Sequence, residues 1–160
     1  MSNSKKENIL NKLELIIRNI VIGNKPSESS DKVFENTISF VDRQYIGVSM
    51  ADVENSKMPW VLINNEGETL KGRPSKNFDS QLFIQIIGFV KAENSDQNLD
   101  SLLNSLQRDI MVAILEDESL GGLCSYLIPR EIYVVDELVW PFGGFVLNLE
   151  IEYSFSGTNL

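Results

Sequence analysis

Apolar residues at Ile9, Leu13, Ile16, Ile17 and Ile20 recur every three to four positions, and Leu10 and Val21 widen the stripe. That period lines one side of a helix and predicts an amphipathic helix over residues 9–21. Ser4 and Glu7 stand three apart ahead of it, the capping-box spacing, and Gly23, Asn24 and Pro26 supply a stop. Residues 24–35 are polar and rich in turn formers, which predicts a mobile loop. Beyond it the pattern is weaker, with short strands expected at 38–41 and 45–48 and a turn of helix at 51–55.

From Pro59 the pattern sharpens. Trp60, Val61, Leu62 and Ile63 predict a short buried strand that ends at the turn-like residues 64–67. Residues 81–91 read as a long strand with two apolar faces. Leu82, Ile84, Ile86 and Val90 point one way, and Phe83, Ile87 and Phe89 the other. A strand with water on one side would alternate apolar with polar, so this one is expected to be covered on both sides. Leu99, Leu102, Leu103, Leu106, Ile110, Ala113 and Ile114 form a second helical stripe, with Asp96 as the expected N-cap and Gly121-Gly122 as the end. Residues 128–135 are rich in β-formers, and 140–144 read as a turn. Phe145, Leu147, Leu149, Ile151, Tyr153 and Phe155 then alternate with Val146, Asn148, Glu150, Glu152 and Ser154, the cleanest strand in the chain. The order predicts an α+β fold: a mixed or antiparallel sheet of about four to five strands, with two main helices packed on one face.

Bulk properties narrow this picture. A chain of 160 residues with 42% hydrophobic and 23% charged residues suits one globular domain spanning 1–160, with 24–58 as a loop-rich insertion. No apolar run approaches the length of a membrane span, and the charged N-terminal segment does not read as a secretory signal, so the expected site of synthesis and assembly is a cytosol. The formal net charge of −9 is uneven. Residues 1–91 hold 12 Lys/Arg against 11 Asp/Glu, whereas residues 92–160 hold only Arg108 and Arg130 against 12 acids. Nucleic-acid binding needs a basic footprint, and the second half carries the opposite.

Candidate chemistry is sparse. There is no His, which removes the commonest general base and metal ligand together, and the single Cys124 allows neither an internal disulfide nor a multi-Cys metal site. Without a His partner Cys124 reads as a core thiol. Glu116, Asp117 and Glu118 end the second helix, where the macrodipole opposes them; three adjacent acids there do not converge on one point, so no metal is expected. No cofactor motif is present. Lys71, Arg73 and Lys76 form the one basic cluster, on a Gly/Pro-containing connection that suits docking as well as it suits plain solubility.

With these elements in hand, the chain resembles the tail-terminator (tail-completion) proteins of long-tailed bacteriophages. The matching features are the helix over 9–21, the strand opened by Pro59-Trp60-Val61-Leu62-Ile63 and the apolar strand 82–90. After them come the second helix running into Ser119-Leu120-Gly121-Gly122 and the acidic alternating strand 146–153. The resemblance covers roughly residues 8–155 and is one of pattern and order. It implies a structural virion protein, not an enzyme, at the head-proximal end of the tail. Such a subunit forms a ring, expected to be a hexamer, that caps the tail tube, ends elongation and offers a surface for head–tail joining. The implied partners are other copies, the tail-tube protein, the head-side connector or neck protein and, in contractile tails, the sheath protein, with DNA only passing through the lumen. On this reading Phe83, Ile87 and Phe89 are the candidate oligomer interface, Lys71, Arg73 and Lys76 dock on the tube or a neighbouring subunit, and Glu116, Asp117 and Glu118 line the channel. The alternatives are a head–tail connector or neck protein, an adhesion or sugar-binding module, and a His-free hydrolase working through carboxylates.

Overall fold

The computed structural model describes residues 4–43 and 57–158. The strand and turn of helix expected at 45–48 and 51–55 lie outside the described residues. The element order is α1 (Lys5–Arg18), β1 (Phe40–Asp42), β2 (Trp60–Arg73), β3 (Asn77–Lys91), α2 (Leu99–Leu115), β4 (Tyr126–Val134) and β5 (Phe142–Ser156). The five strands form one mixed sheet in the order β1-β2-β3-β5-β4, with β1 parallel to β2 and every other pair antiparallel. The fold is α+β, as the element order predicts.

Local chemistry sets the ends of the elements. Ser4 Oγ accepts the Glu7 N–H at 3.2 Å and starts α1, which closes at Arg18 and not at residue 21. Beyond it Ile20 stays buried, and Gly23, at φ +84°, donates its N–H to the Phe34 carbonyl at 3.0 Å. Asn98, not Asp96, caps α2, because its side chain sits directly before Leu99 and accepts the Asp100 N–H at 2.9 Å. Asp96 belongs to the preceding turn, where its own N–H donates to Asn94 Oδ1.

The largest departure from the sequence reading is β2. Residues 64–67 look like a terminating turn, yet they make a β-bulge. Asn65 Oδ1 accepts the Gly67 N–H at 2.9 Å, Gly67 takes a φ of +112°, and the strand then continues to Arg73. Gly and Asn serve a turn and a bulge alike, because both need a positive φ or a short side-chain acceptor. The true hairpin tip is Pro74, Ser75 and Lys76, the last two at φ +66° and +60°.

Where the sequence suggests a mobile loop over 24–35, the structure folds that segment onto the helices. Phe34 and Ile38 join the core, the Phe34 N–H donates to the Asn24 carbonyl, and the Ile38 N–H donates to the Ile20 carbonyl.

Both helices lie on one face of the sheet. Ile9, Leu13 and Ile17 of α1 and Leu106, Ile110 and Ile114 of α2 bury against Leu82, Ile84 and Ile86 of β3 and Leu147, Leu149 and Ile151 of β5. Each such side chain contributes roughly 1.5–3 kcal/mol by leaving water. Phe145 is fully buried here, and Gly88 makes room for it: a Cβ on Gly88 would stand 2.4 Å from the ring.

Candidate functional site

Among the described residues, the second face of the sheet carries no helix. Strand alternation puts Phe40 of β1, Trp60 and Leu62 of β2, Phe83, Ile87 and Phe89 of β3, Val146 of β5 and Tyr133 of β4 on it. The chain covers one end of that face by itself. Phe40 and Trp60 pack with ring centroids 4.7 Å apart, and the β4–β5 connection lays Leu138 over Gly144 and beside Phe89. Leu62 and Val146 are buried, Ile87 and Phe89 are half-buried, and Phe83 is 37% exposed. The cover expected on both sides of β3 is supplied within this chain on the helix side alone. Within this chain the helices cover one side completely and the other side stays partly open.

Across the middle of the open face runs a polar row of Asn64, Gln85, Asn148 and Glu131, one from each of β2, β3, β5 and β4 in register. Asn64 Nδ2 donates to Gln85 Oε1 at 3.3 Å, and Asn148 Nδ2 donates to Glu131 Oε2 at 3.2 Å. Beyond the row Arg130 pairs with Glu150 at 2.6 Å.

The basic cluster divides between strand and turn. Lys71 and Arg73 belong to the end of β2, and only Lys76 sits in the tip. Arg73 is tied to Asp79 at 3.1 Å, whereas Lys71 and Lys76 have no ion pair among the described residues. Phe83, Ile87 and Phe89 share the open face but span the length of β3.

Glu116, Asp117 and Glu118 follow α2 on the helix side of the sheet, away from the open face, so the structure does not bring the three candidate groups together. Asp117 has a local task. Its carboxylate accepts the Ser119 hydroxyl at 2.7 Å, the Ser119 N–H at 3.0 Å and the Gly121 N–H at 2.7 Å, and these bonds hold its pKa below the ordinary Asp value. It thereby braces a turn through Leu120, Gly121 and Gly122, all at positive φ. Glu116 bonds the Ser27 hydroxyl. Cys124 is buried, which pushes its thiol pKa up to about 11, with the nearby Asp117 charge adding to the rise; such a thiol is a poor nucleophile.

Two carboxylate clusters escape sequence reading. Asp109 is fully buried on α2 and accepts the backbone N–H groups of Glu35 (2.9 Å) and Asn36 (2.7 Å), the Asn36 side-chain amide (2.8 Å) and Arg108 Nη1 (2.9 Å). Arg108 also donates to the Val33 carbonyl at 2.6 Å, so α2 clamps the 33–36 segment. Glu68 of β2 accepts Lys6 Nζ (2.6 Å), the Ser80 hydroxyl (2.5 Å) and the Tyr153 hydroxyl (2.7 Å). Burial pushes the Glu68 carboxyl up, but those three donors outweigh it and hold the pKa below the ordinary Glu value. Burial and the Glu68 bond both raise the Tyr153 phenol. Every oxygen of this cluster is engaged in joining α1 to three strands, which is what a structural anchor needs.

Among the described residues no group of three or more His, Cys, Asp or Glu stands placed to hold a metal ion, and no helix is long and apolar enough to cross a membrane. No protein-family model matches the chain, and no curated protein matches it either.

Proposed function

We propose that this chain is a structural subunit that assembles with its own copies into a ring, in the manner of the phage tail terminators it resembles. In that role it caps a tail tube and offers a joining surface to a head-side connector. One observation supports the reading above the rest. Among the described residues, helices seal the sheet on one face only, while its other face and its edges present large apolar side chains, among them Phe83, Leu70, Ile132, Tyr133 and Val134. A face of this kind is what neighbouring copies bury in a symmetric assembly. The carboxylate clusters are consumed by structural bonds, which lowers the case for a carboxylate hydrolase.

Native mass spectrometry at high concentration, with electron microscopy of the chain mixed with purified tail tubes, tests the proposal. Closed rings, free or on tube ends, are the expected result. A monomer under both conditions overturns it.

A further inference from the structure

Two edges of the sheet carry unusual and complementary sequences. β4 is an outer strand, and its last residues, Ile132, Tyr133 and Val134, are all exposed, Ile132 at 41%. At the opposite side β1 pairs only with Trp60, Val61 and Leu62, so among the described residues the rest of β2 has no strand beside its outer edge. There Leu70 is 51% exposed and Lys71 has no ion pair among the described residues. Proteins normally blunt such edges with charge, bulges or covering segments, because free N–H and C=O groups beside apolar side chains recruit another strand.

The faces match as well. Leu70 lies opposite Ser80, and Ile132 opposite Leu147, which places both on the helix side of the sheet. Lys71 lies opposite Asp79 and Glu131 opposite Asn148, which places both on the open side. β2 runs parallel to β5 and antiparallel to β4, so a copy set beside another in the same orientation brings its β2 antiparallel to the neighbour's β4.

We infer that the seam between copies joins the outer edge of β2 at residues 69–71 to the outer edge of β4 at residues 131–133 of the next copy. The inference rests on the ring reading and names its contact. In one antiparallel register Leu70 meets Ile132 on the helix side, while Lys71 meets Glu131 and Thr69 meets Tyr133 on the open side. Directly opposed residues share a face with Cβ atoms about 4.5–5.5 Å apart. A slip of one residue would set Lys71 against Ile132 and forfeit both matches, so side-chain chemistry selects the register. The bulge at Pro129 and Glu131 ends the regular stretch of β4 and keeps the seam short. Because the two edges lie on opposite sides of one sheet, they cannot meet within a chain. Contact is head to tail, the kind of interface that closes into a ring or extends into a filament.

Paired cysteines test the seam, with the buried Cys124 left in place. In the full chain carrying both Leu70→Cys and Ile132→Cys, mild oxidation should yield a ladder of disulfide-linked species in steps of one chain. Each single variant, and the Leu70→Cys, Tyr133→Cys pair whose thiols lie on opposite faces, should yield none. Independently, Lys71→Glu should lower the association constant by roughly fivefold per seam, and adding Glu131→Lys to the same chain should restore it. Wild-type protein is imaged alongside. Rings without a ladder overturn the seam and leave the ring reading standing. A ladder with only open chains in the images keeps the seam and overturns the ring. Neither rings nor ladder overturns both.

Discussion

The two faces of the sheet are cut from the same strands yet obey different rules. On the helix side of β5, Phe145, Leu147, Leu149 and Ile151 are buried among side chains of α1 and α2. On the other side, Asn148, Glu150 and Glu152 mix with Val146, and β3 contributes Phe83, Ile87 and Phe89 where a water-facing strand would carry polar groups. The helix face is organised by volume, since close packing penalises any void or overlap. The open face is organised by pairs: an amide row, the Arg130–Glu150 bridge and apolar residues at either end. The first holds most of the buried apolar side chains, and the second leaves large apolar side chains such as Phe83 partly exposed.

Replacing one large residue on each face breaks that comparison most directly. Phe145→Ala should cost about 3–5 kcal/mol in urea denaturation, because the ring fills space that Gly88 leaves for it. Phe83→Ala should cost about 1 kcal/mol or less in the monomer yet reduce assembly. Equal losses would mean that the open face is already part of the monomer's core.

Next in size is Asp109→Ala, which strands the N–H groups of Glu35 and Asn36 and the Arg108 guanidinium. A loss of about 3 kcal/mol is expected, with hydrogen exchange accelerating first across residues 33–36. Protection unchanged in that segment would show that the apolar anchors Phe34 and Ile38 hold it without the clamp.

Glu68 gives a smaller, pH-dependent effect. Its folded pKa is depressed below the ordinary Glu value, so its contribution is present above about pH 4.5 and is lost as pH falls through the folded pKa. Glu68→Gln should lower stability at neutral pH and flatten the acid limb of the stability curve below about pH 4.5. An acid limb unchanged in slope would assign it to other carboxylates.

At the end of β2 and the hairpin tip, changing Lys71, Arg73 and Lys76 together to Glu should shift stability by only about 0.5 kcal/mol, as all three are exposed. Assembly on tail tubes should nevertheless fail, and tails of normal length from this variant would remove the docking role. The smallest effect on the fold is expected from Glu116→Lys with Glu118→Lys, which spares the bracing Asp117. If these acids line a channel, DNA ejection should slow at low salt while particle counts stay unchanged. Ejection at the wild-type rate at every salt concentration would place them outside the lumen.

Several of these elements are legible from residue order alone, and the reason is periodicity. The stripes at 9–20 and 99–114 and the alternation at 145–155 each repeat over many residues, and each strand or helix forms where its period predicts. The 64–67 segment misleads because a bulge and a turn recruit the same residue types. The 24–35 loop misleads because its overall polar composition hides the role of Phe34 near its end, of Ile38 just beyond it, and of Asp109 waiting on α2. Within the candidate site, the basic cluster and the unusual second face of β3 are visible in sequence. The bracing role of Asp117 is not, since its acceptor geometry arises only once Leu120, Gly121 and Gly122 turn left-handed.

By itself the sequence determined the two helices and the strands around 60–63, 82–90 and 145–155, that one face of the last strand would be apolar, and that charge would separate between the two halves. These follow from the side-chain period and from composition, which are local properties. Only the tertiary structure decided that β5 lies between β3 and β4, and that Asp109 and Glu68 tie together segments far apart in the chain. It also decided that, among the described residues, β2 beyond Leu62 and β4 are left as edges. Each of these depends on partners far apart in the chain. Glu68 meets Tyr153 across 85 positions and Asp109 meets Asn36 across 73. A local pattern carries no record of such meetings, because burial and hydrogen bonding are settled by which surfaces close on one another in space.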